Sequence, residues 1–324
     1  MVRFTVLASG SKGNCTIVSG GNTRILVDAG LSCREMFRRM EQAGEDPGTL
    51  DAILITHEHS DHVSGLAVTA RKLGIPVYFT EATHREWMRW ITPRRRMTYA
   101  EWLEQCRKQA AERQAEAPVE LPDCEDSESA EMASDLPAEA PVQCNGRQDT
   151  EKPAPSWLPA VEYFQAGTPF QVGDISVSPF TIPHDAADPV GFVFHAEGVR
   201  LAVATDLGYI PPNVKAQLRG VDLLLLESNH DLDMLRDGPY PWSVKQRVLS
   251  RVGHLSNDAA AEFLETGYDG QATYIILGHL SENNNLPELA RLAAERALAG
   301  HASLLGNRLL VAAQQDPLAA IQFC

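Results

Sequence analysis

Apolar residues along this chain of 324 residues gather in short runs, separated by turn residues and a few amphipathic stretches. Phe4–Ala8, Thr16–Ser19, Arg24–Val27, Ala52–Ile55 and Val77–Thr80 read as strands in the first half. Phe170–Val172, Ile175–Pro179, Gly191–His195, Arg200–Ala204, Leu223–Glu227 and Tyr274–Leu277 read as strands in the second. The run Ala52-Ile53-Leu54-Ile55 has no polar position and marks a buried strand. Helical spacing appears at Cys33–Ala43, His62–Leu73, Lys245–Ser250, Asn257–Glu265 and Leu286–Ala299.

One stretch breaks this pattern. From about residue 110 to 156 the chain is rich in Ala, Glu, Pro and Ser and poor in aromatic residues. Such a composition cannot bury enough apolar surface to offset chain entropy. It predicts a flexible acidic surface insert within a single domain spanning 1–324, preceded by helical character from Tyr99 to Arg113. Its expected role is none, with docking of a protein partner as the alternative. Residues 100–156 carry 14 acidic and 5 basic residues, nine of the fifteen net negative charges of the chain. The remainder is only mildly acidic, and a site for divalent cations needs carboxylates of its own. The charge therefore does not exclude a phosphodiester partner, although no basic stripe announces one.

No run of about 18 apolar residues occurs, so no membrane helix and no membrane partner are expected. Met1 to Gly10 reads as a first strand running into a glycine turn, not as a secretory signal. The six cysteines, Cys15, Cys33, Cys106, Cys124, Cys144 and Cys324, form no CxxC pair. Reduced thiols and a cytoplasmic location are the simpler reading, with Cys124 and Cys144 as incidental surface thiols. Oligomeric state is not legible.

The densest chemistry is His57-Glu58-His59-Ser60-Asp61-His62, directly after the buried run. His57 and His59, two apart in extended chain, can point to one side. Asp61 and His62 come after the chain turns and can point to a second position. Imidazole with carboxylate suits zinc, manganese or iron, and this spacing suits two adjacent ions better than one.

HxHxDH after a hydrophobic strand resembles the signature of the metallo-β-lactamase superfamily. Four further segments stand in the matching order: Ile25-Leu26-Val27-Asp28, Ile182-Pro183-His184, Leu201-Ala202-Val203-Ala204-Thr205-Asp206 and Tyr274-Ile275-Ile276-Leu277-Gly278-His279. The resemblance implies an α/β fold, the four-layer αββα sandwich, with the site on loops at one edge of the sheets. It implies two divalent ions, Zn2+ or Mn2+. His57, His59 and His184 would hold one, Asp61, His62 and His279 the other, and Asp206 would bridge them, while Asp28 orients a ligating histidine. A water between the ions would become hydroxide near neutral pH and attack the substrate, which makes Asp61 part of the catalytic centre.

Three features beyond the metal motifs point to phosphate. The turn Ala8-Ser9-Gly10-Ser11-Lys12-Gly13-Asn14 offers Ser11, Lys12 and Asn14 to an anion. Gly253-His254-Leu255-Ser256-Asn257 precedes a helix that Ser256 or Asn257 can cap, and helix N-termini attract phosphate. His254 there resembles the additional histidine of the ribonuclease Z branch, a group that stabilises charge or protonates the leaving oxygen. Glu227-Ser228-Asn229-His230 ends a strand, with His230 as a candidate cleft residue.

LASGSKGNC, VDAGLS, THEHSDHVSGL, IPHDAADPVGF, ESNHDLDML, GPYPWSVKQR, GHLSN and LGHLSENNN together resemble the YycJ/WalJ/VicX branch. That resemblance implies a metal-dependent 5′-to-3′ DNA exonuclease. The insert between Tyr99 and Ser156 is longer than that branch normally has. Strand polarity and DNA against RNA are not in the residues themselves. A ribonuclease Z-like RNA endonuclease and a glyoxalase II-like thioesterase are the enzymatic alternatives, and a non-catalytic nucleic-acid-binding module is the alternative of another class. The last would require a broken ligand set, and none of the seven residues is missing.

Overall fold

Two seven-stranded sheets organise the chain. The computed structural model describes residues 1–92, 99–115, 158–299 and 307–324. The first sheet contains β1 (Val2–Ala8), β2 (Cys15–Gly20), β3 (Thr23–Val27), β4 (Ala52–Leu54), β5 (Val77–Phe79), β6 (Val161–Tyr163) and β14 (Ile321–Phe323), in the order β14-β1-β2-β3-β4-β5-β6. The second contains β7 (Phe170–Val172), β8 (Ile175–Thr181), β9 (Val190–Ala196), β10 (Val199–Ala204), β11 (Leu223–Glu227), β12 (Tyr274–Gly278) and β13 (Arg308–Val311), in the order β13-β12-β11-β10-β9-β8-β7. Within the first sheet β3 to β6 run parallel, and within the second β10 to β13 do.

The period-2 alternation of each strand sorts its side chains between two cores. Ile25, Val27 and Leu54 face the gap between the sheets and meet Phe192, Phe194, Leu201, Val203 and Leu225 from the other side. Leu26 and Ile53 point the other way. They pack under α1 (Cys33–Gln42), α3 (Leu66–Leu73) and α4 (Glu81–Ile91), which supply Met36, Met40, Leu66, Ala70 and Trp87. On the second sheet Leu224, Leu226, Ile275 and Leu277 turn outward beneath α6 (Pro212–Gln217), α9 (Asn257–Thr266) and α10 (Pro287–Leu298). Strands buried on both faces explain why the apolar runs were nearly continuous. The result is the expected αββα sandwich.

The sequence predicted one helix over His62–Leu73; the chain forms two, α2 (Ser60–Val63) and α3. The break falls at Gly65, whose N–H donates to the carbonyl of Ala29 at 2.8 Å. A Cβ at that position would sit 1.9 Å from the carbonyl oxygen of Leu31, so only glycine lets the 60–66 segment lie against the Asp28–Leu31 loop. This contact presses the histidine-rich turn onto the end of β3.

Residues Met1–Ile91 and Pro155–Cys324 form one compact unit and Thr92–Ala154 another. The second unit contains α5 (Tyr99–Ala115), which runs a few residues past the expected start of the insert at 110. Residues 116–156 of that insert, with Cys124 and Cys144, lie outside the described residues. Cys15, Cys33, Cys106 and Cys324 are free thiols, and burial pushes the Cys15 thiol up to about 12. Among the described residues no helix is long and apolar enough to cross a membrane.

Candidate metal centre

The carboxyl ends of the parallel strands converge on one region, the edge at which open α/β sheets place their ligands. Asp28 follows β3, His57 lies three residues beyond β4, Asp206 follows β10 after one residue, Glu227 ends β11 and His279 follows β12. Asp28, Asp206 and His279 have φ of 60°, 62° and 56°. Left-handed backbone is unfavourable for residues with a Cβ. Each of these turns aims its side chain off the end of its strand, and such strain concentrates at functional sites.

Ligand atoms of His57, His59 and His184 lie within 4.8 Å of one another. His184 Nδ1 lies 3.1 Å from the carbonyl oxygen of Gly253, which can only accept, so Nδ1 carries the proton and Nε2 keeps its lone pair. That Nε2 is 3.2 Å from His59 Nδ1. His57 Nδ1 is 3.0 Å from Thr56 Oγ1, while its Nε2 is buried with no hydrogen bond at all. Burial, helped by the charge on His62, holds His57 well below the ordinary imidazole value, and burial also lowers His184. His57 and His184 are thus held toward the neutral imidazole, each with Nδ1 engaged by a hydrogen bond.

A second group unites Asp61, His62, Asp206 and His279, again with ligand atoms within 4.8 Å. His62 Nε2 lies 3.4 Å from Asp206 Oδ2, and His279 Nε2 lies 3.4 Å from Asp61 Oδ2. The opposite ring nitrogen of His62 is fixed by Asp28, whose Oδ2 is 2.8 Å from Nδ1. Thr56 also donates to that carboxylate, so one acid orients both His62 and, through the threonine, His57. Burial presses the His62 and His279 values down, but the surrounding carboxylates, Asp206 first, overcome it and hold both well above the ordinary value. Burial would raise Asp61 and Asp206, yet the neighbouring histidines keep both acids low.

Glu227 is a site residue that sequence reasoning missed. It is completely buried, and its Oε1 meets His279 Nδ1 at 2.9 Å and His254 Nδ1 at 2.8 Å. Its Oε2 accepts from the backbone of Leu207 at 2.7 Å and Leu255 at 3.3 Å. Burial opposes its charge, but the two histidines hold it down to about 2. The signal was present: Leu223 to Glu227 is an apolar strand ending in an acid, the pattern already read at Asp28 and Asp206.

Around these groups opens a cavity of about 510 Å³ lined by Ser11, His59, Ser60, Asp61, Trp90, Asp206, Arg247, His254 and His279. A family model described as the metallo-beta-lactamase superfamily matches residues 8–301. The chain belongs to the metallo-beta-lactamase superfamily. It is 33% identical over 297 residues, 92% of this chain and 89% of the other, to "Exodeoxyribonuclease YycJ" of Bacillus anthracis. It is 31% identical over 297 residues, 92% of this chain and 88% of the other, to "Exodeoxyribonuclease WalJ" of Streptococcus pneumoniae serotype 2. Among solved structures it shares its fold with the metallo-beta-lactamase fold protein YhfI from Bacillus subtilis, with a TM-score of 0.60, 14% identity and 98% of both chains covered.

Within this superfamily fold, the turns after β1 and before α9 do not all serve the cavity. Ser11 lines it, but Lys12 forms an exposed ion pair with Glu282. Asn14 is buried, with its side-chain amide 3.3 Å from Asp61 Oδ2 and 3.1 Å from His62 Nε2, so it braces the acidic group and is not a lining residue. Ser256 accepts from the Ala259 N–H as the cap of α9. Asn257 is buried in bonds with Ser228 and Asn285. His230 is also buried, outside the lining, and burial lowers it to about 4. Asn14, Ser256 and Asn257 thus hydrogen-bond within the scaffold, and His230 is buried in it. Trp90 and Arg247 also line the cavity, from α4 and from α8 (Trp242–Val248); Arg247 closes the GPYPWSVKQR motif, whereas Trp90 stands in no motif.

Proposed function

We propose that this chain is a dinuclear metal-dependent nuclease, a DNA exonuclease. The donor set fits divalent ions on observations of the protein alone. His57 Nε2 and Asp206 Oδ2 are buried without a hydrogen bond, and two imidazole nitrogens face each other at 3.2 Å. Neutral imidazoles joined by carboxylates are ligands for zinc or manganese. His57, His59 and His184 would hold one ion, and Asp61, His62 and His279 the other, with Asp206 serving both. Bound there, the ions would supply Lewis-acid polarisation of a phosphate and an activated water.

The remaining chemistry falls to the chain's own groups. Arg247 and Ser11 lie on the cavity wall, where a cation and a hydroxyl can meet the nonbridging oxygens of a phosphodiester. His254 holds its Nδ1 proton against Glu227, so Nε2 is the nitrogen available for proton exchange with the leaving oxygen. Glu227, ionised and buried, stabilises the imidazolium that such a donor needs. The observation that carries this reading is the joining of a proton-donor histidine and both ligand groups in one cavity, through a carboxylate shared by His254 and His279. The assignment to DNA and to an exonuclease is supported by the names of the two relatives, and 5′-to-3′ polarity by the motif resemblance.

Manganese- or zinc-loaded protein should shorten end-labelled DNA stepwise, with little action on the matching RNA and none on a thioester. Internal cuts in RNA, or thioester hydrolysis alone, would overturn the assignment.

A further inference from the structure

The cavity has one flat aromatic wall besides its histidines. Trp90 lies one helical turn beyond Trp87 on α4. Trp87 is buried against Phe79, with ring centroids 5.7 Å apart, and anchors the helix. Trp90 is 56% exposed. Its indole lies nearly parallel to the His59 ring, at 23° and 6.5 Å between centroids, and no described residue accepts its N–H. A large apolar ring left open to water beside a cluster of buried carboxylates and imidazoles has no stabilising role on its exposed part. Arg247, ion-paired through Nε with Asp185 and with 61% of its side chain exposed, lines the same cavity.

We propose that Trp90 is the platform on which an unpaired terminal nucleobase stacks, placing the adjoining phosphodiester at the metal centre. The inference rests on the nuclease reading and adds to it a class of substrate: single-stranded or frayed ends. Every base offers a π-face, so stacking on an indole is tolerant of sequence. A base inside a duplex already has both faces stacked and its edge paired, and must be freed before it reaches Trp90. The rigid indole, held by a helix whose preceding turn is buried, loses little freedom on binding. Arg247 complements it by meeting the backbone charge next to the stacked base.

The test is a cycle between protein and nucleic acid. Affinity of the full chain is measured by anisotropy for an internally labelled oligonucleotide with phosphorothioate terminal linkages, its base present or removed at one end or the other. In the native protein, removing the base at one end should weaken binding about 5–150-fold, the size of one base–aromatic stack. In Trp90→Ala the two oligonucleotides should bind within about twofold of each other, and Trp90→Phe should restore most of the difference. A native protein that ignores the abasic end, or a Trp90→Ala variant that still discriminates in full, overturns the stacking role and leaves the nuclease reading standing. Absence of any binding or cleavage of nucleic acid by native, metal-loaded protein would overturn both.

Discussion

The two ligand groups are neighbours with opposite electrostatics. The group of His57, His59 and His184 contains no carboxylate, and burial keeps His57 and His184 below their ordinary values. The group of Asp61, His62, Asp206 and His279 is half acids, which hold its histidines well above their ordinary value while the histidines hold the acids below theirs. His57 and His184 of the first group therefore favour the neutral imidazole that a metal ion binds, whereas the second group holds its histidines toward the charged form, against which an ion binding there must compete. Burial alone does not decide the state of an imidazole; the sign of the nearest neighbour does.

The largest expected effect comes from replacing Asp206, whose charge acts on His57 and His184 as well as on His62 and His279. Asp206→Asn should lower turnover of a phosphodiester by about 10³-fold or more, and elemental analysis should show metal content falling from two equivalents toward one. Full metal content with native turnover would show that Asp206 has no bridging role. Next is the shared carboxylate. His254→Ala should reduce kcat on DNA by about 10²-fold with metal content intact. Glu227→Gln, which loosens His279 as well, should reduce metal affinity and activity by about 10–100-fold. Equal metal affinity in both variants would place Glu227 with the proton donor alone.

A smaller effect sharpens the electrostatic contrast in chelated protein. His57 binds its proton less well folded than unfolded, so it makes stability rise with pH in the window below the ordinary imidazole value of 6.5. His62 binds its proton better when folded, so its contribution is complete below 6.5 and is lost as pH rises through its higher folded value. His57→Gln should therefore flatten the acid limb of a Tm-against-pH profile, and His62→Gln the alkaline limb. Identical profiles would refute the contrast. The smallest effect is expected from replacing residues 116–154 with a short Gly/Ser linker. Their composition argues against a packed role, so melting temperature and hydrolysis of a small phosphodiester should change little, whereas loss of both would show that the segment packs on the core.

Much of this site was legible because its residues follow apolar strands. Asp28, His57, Asp206 and His279 each sit just past a run whose burial is written in consecutive aliphatic residues. The central strands were legible for the same reason. The closing strands β13 and β14 were not, since Arg308–Val311 and Ile321–Phe323 are only four and three residues long, too short to show a period of two. Helix α4 escaped notice because only Thr83 and Trp87 are buried along it, too few to write a stripe. The sequence does not say which way a side chain near the site turns, and the structure buries both His230 and Asn257.

The three left-handed residues at the strand ends of the site have a consequence for how this protein can change. Asp28, Asp206 and His279 hold a backbone conformation that glycine would adopt with less strain, by about 1–2 kcal/mol at each position. Glycine would relieve that strain and erase the centre, and at Asp28 it would also strand the Thr56 and His62 donors. Such positions sit at the crossing of two opposed pressures, stability and activity. A heat-tolerant variant of this chain must therefore find its gains elsewhere, and any library selected only for folding should lose its metal-binding capacity first at these strand ends.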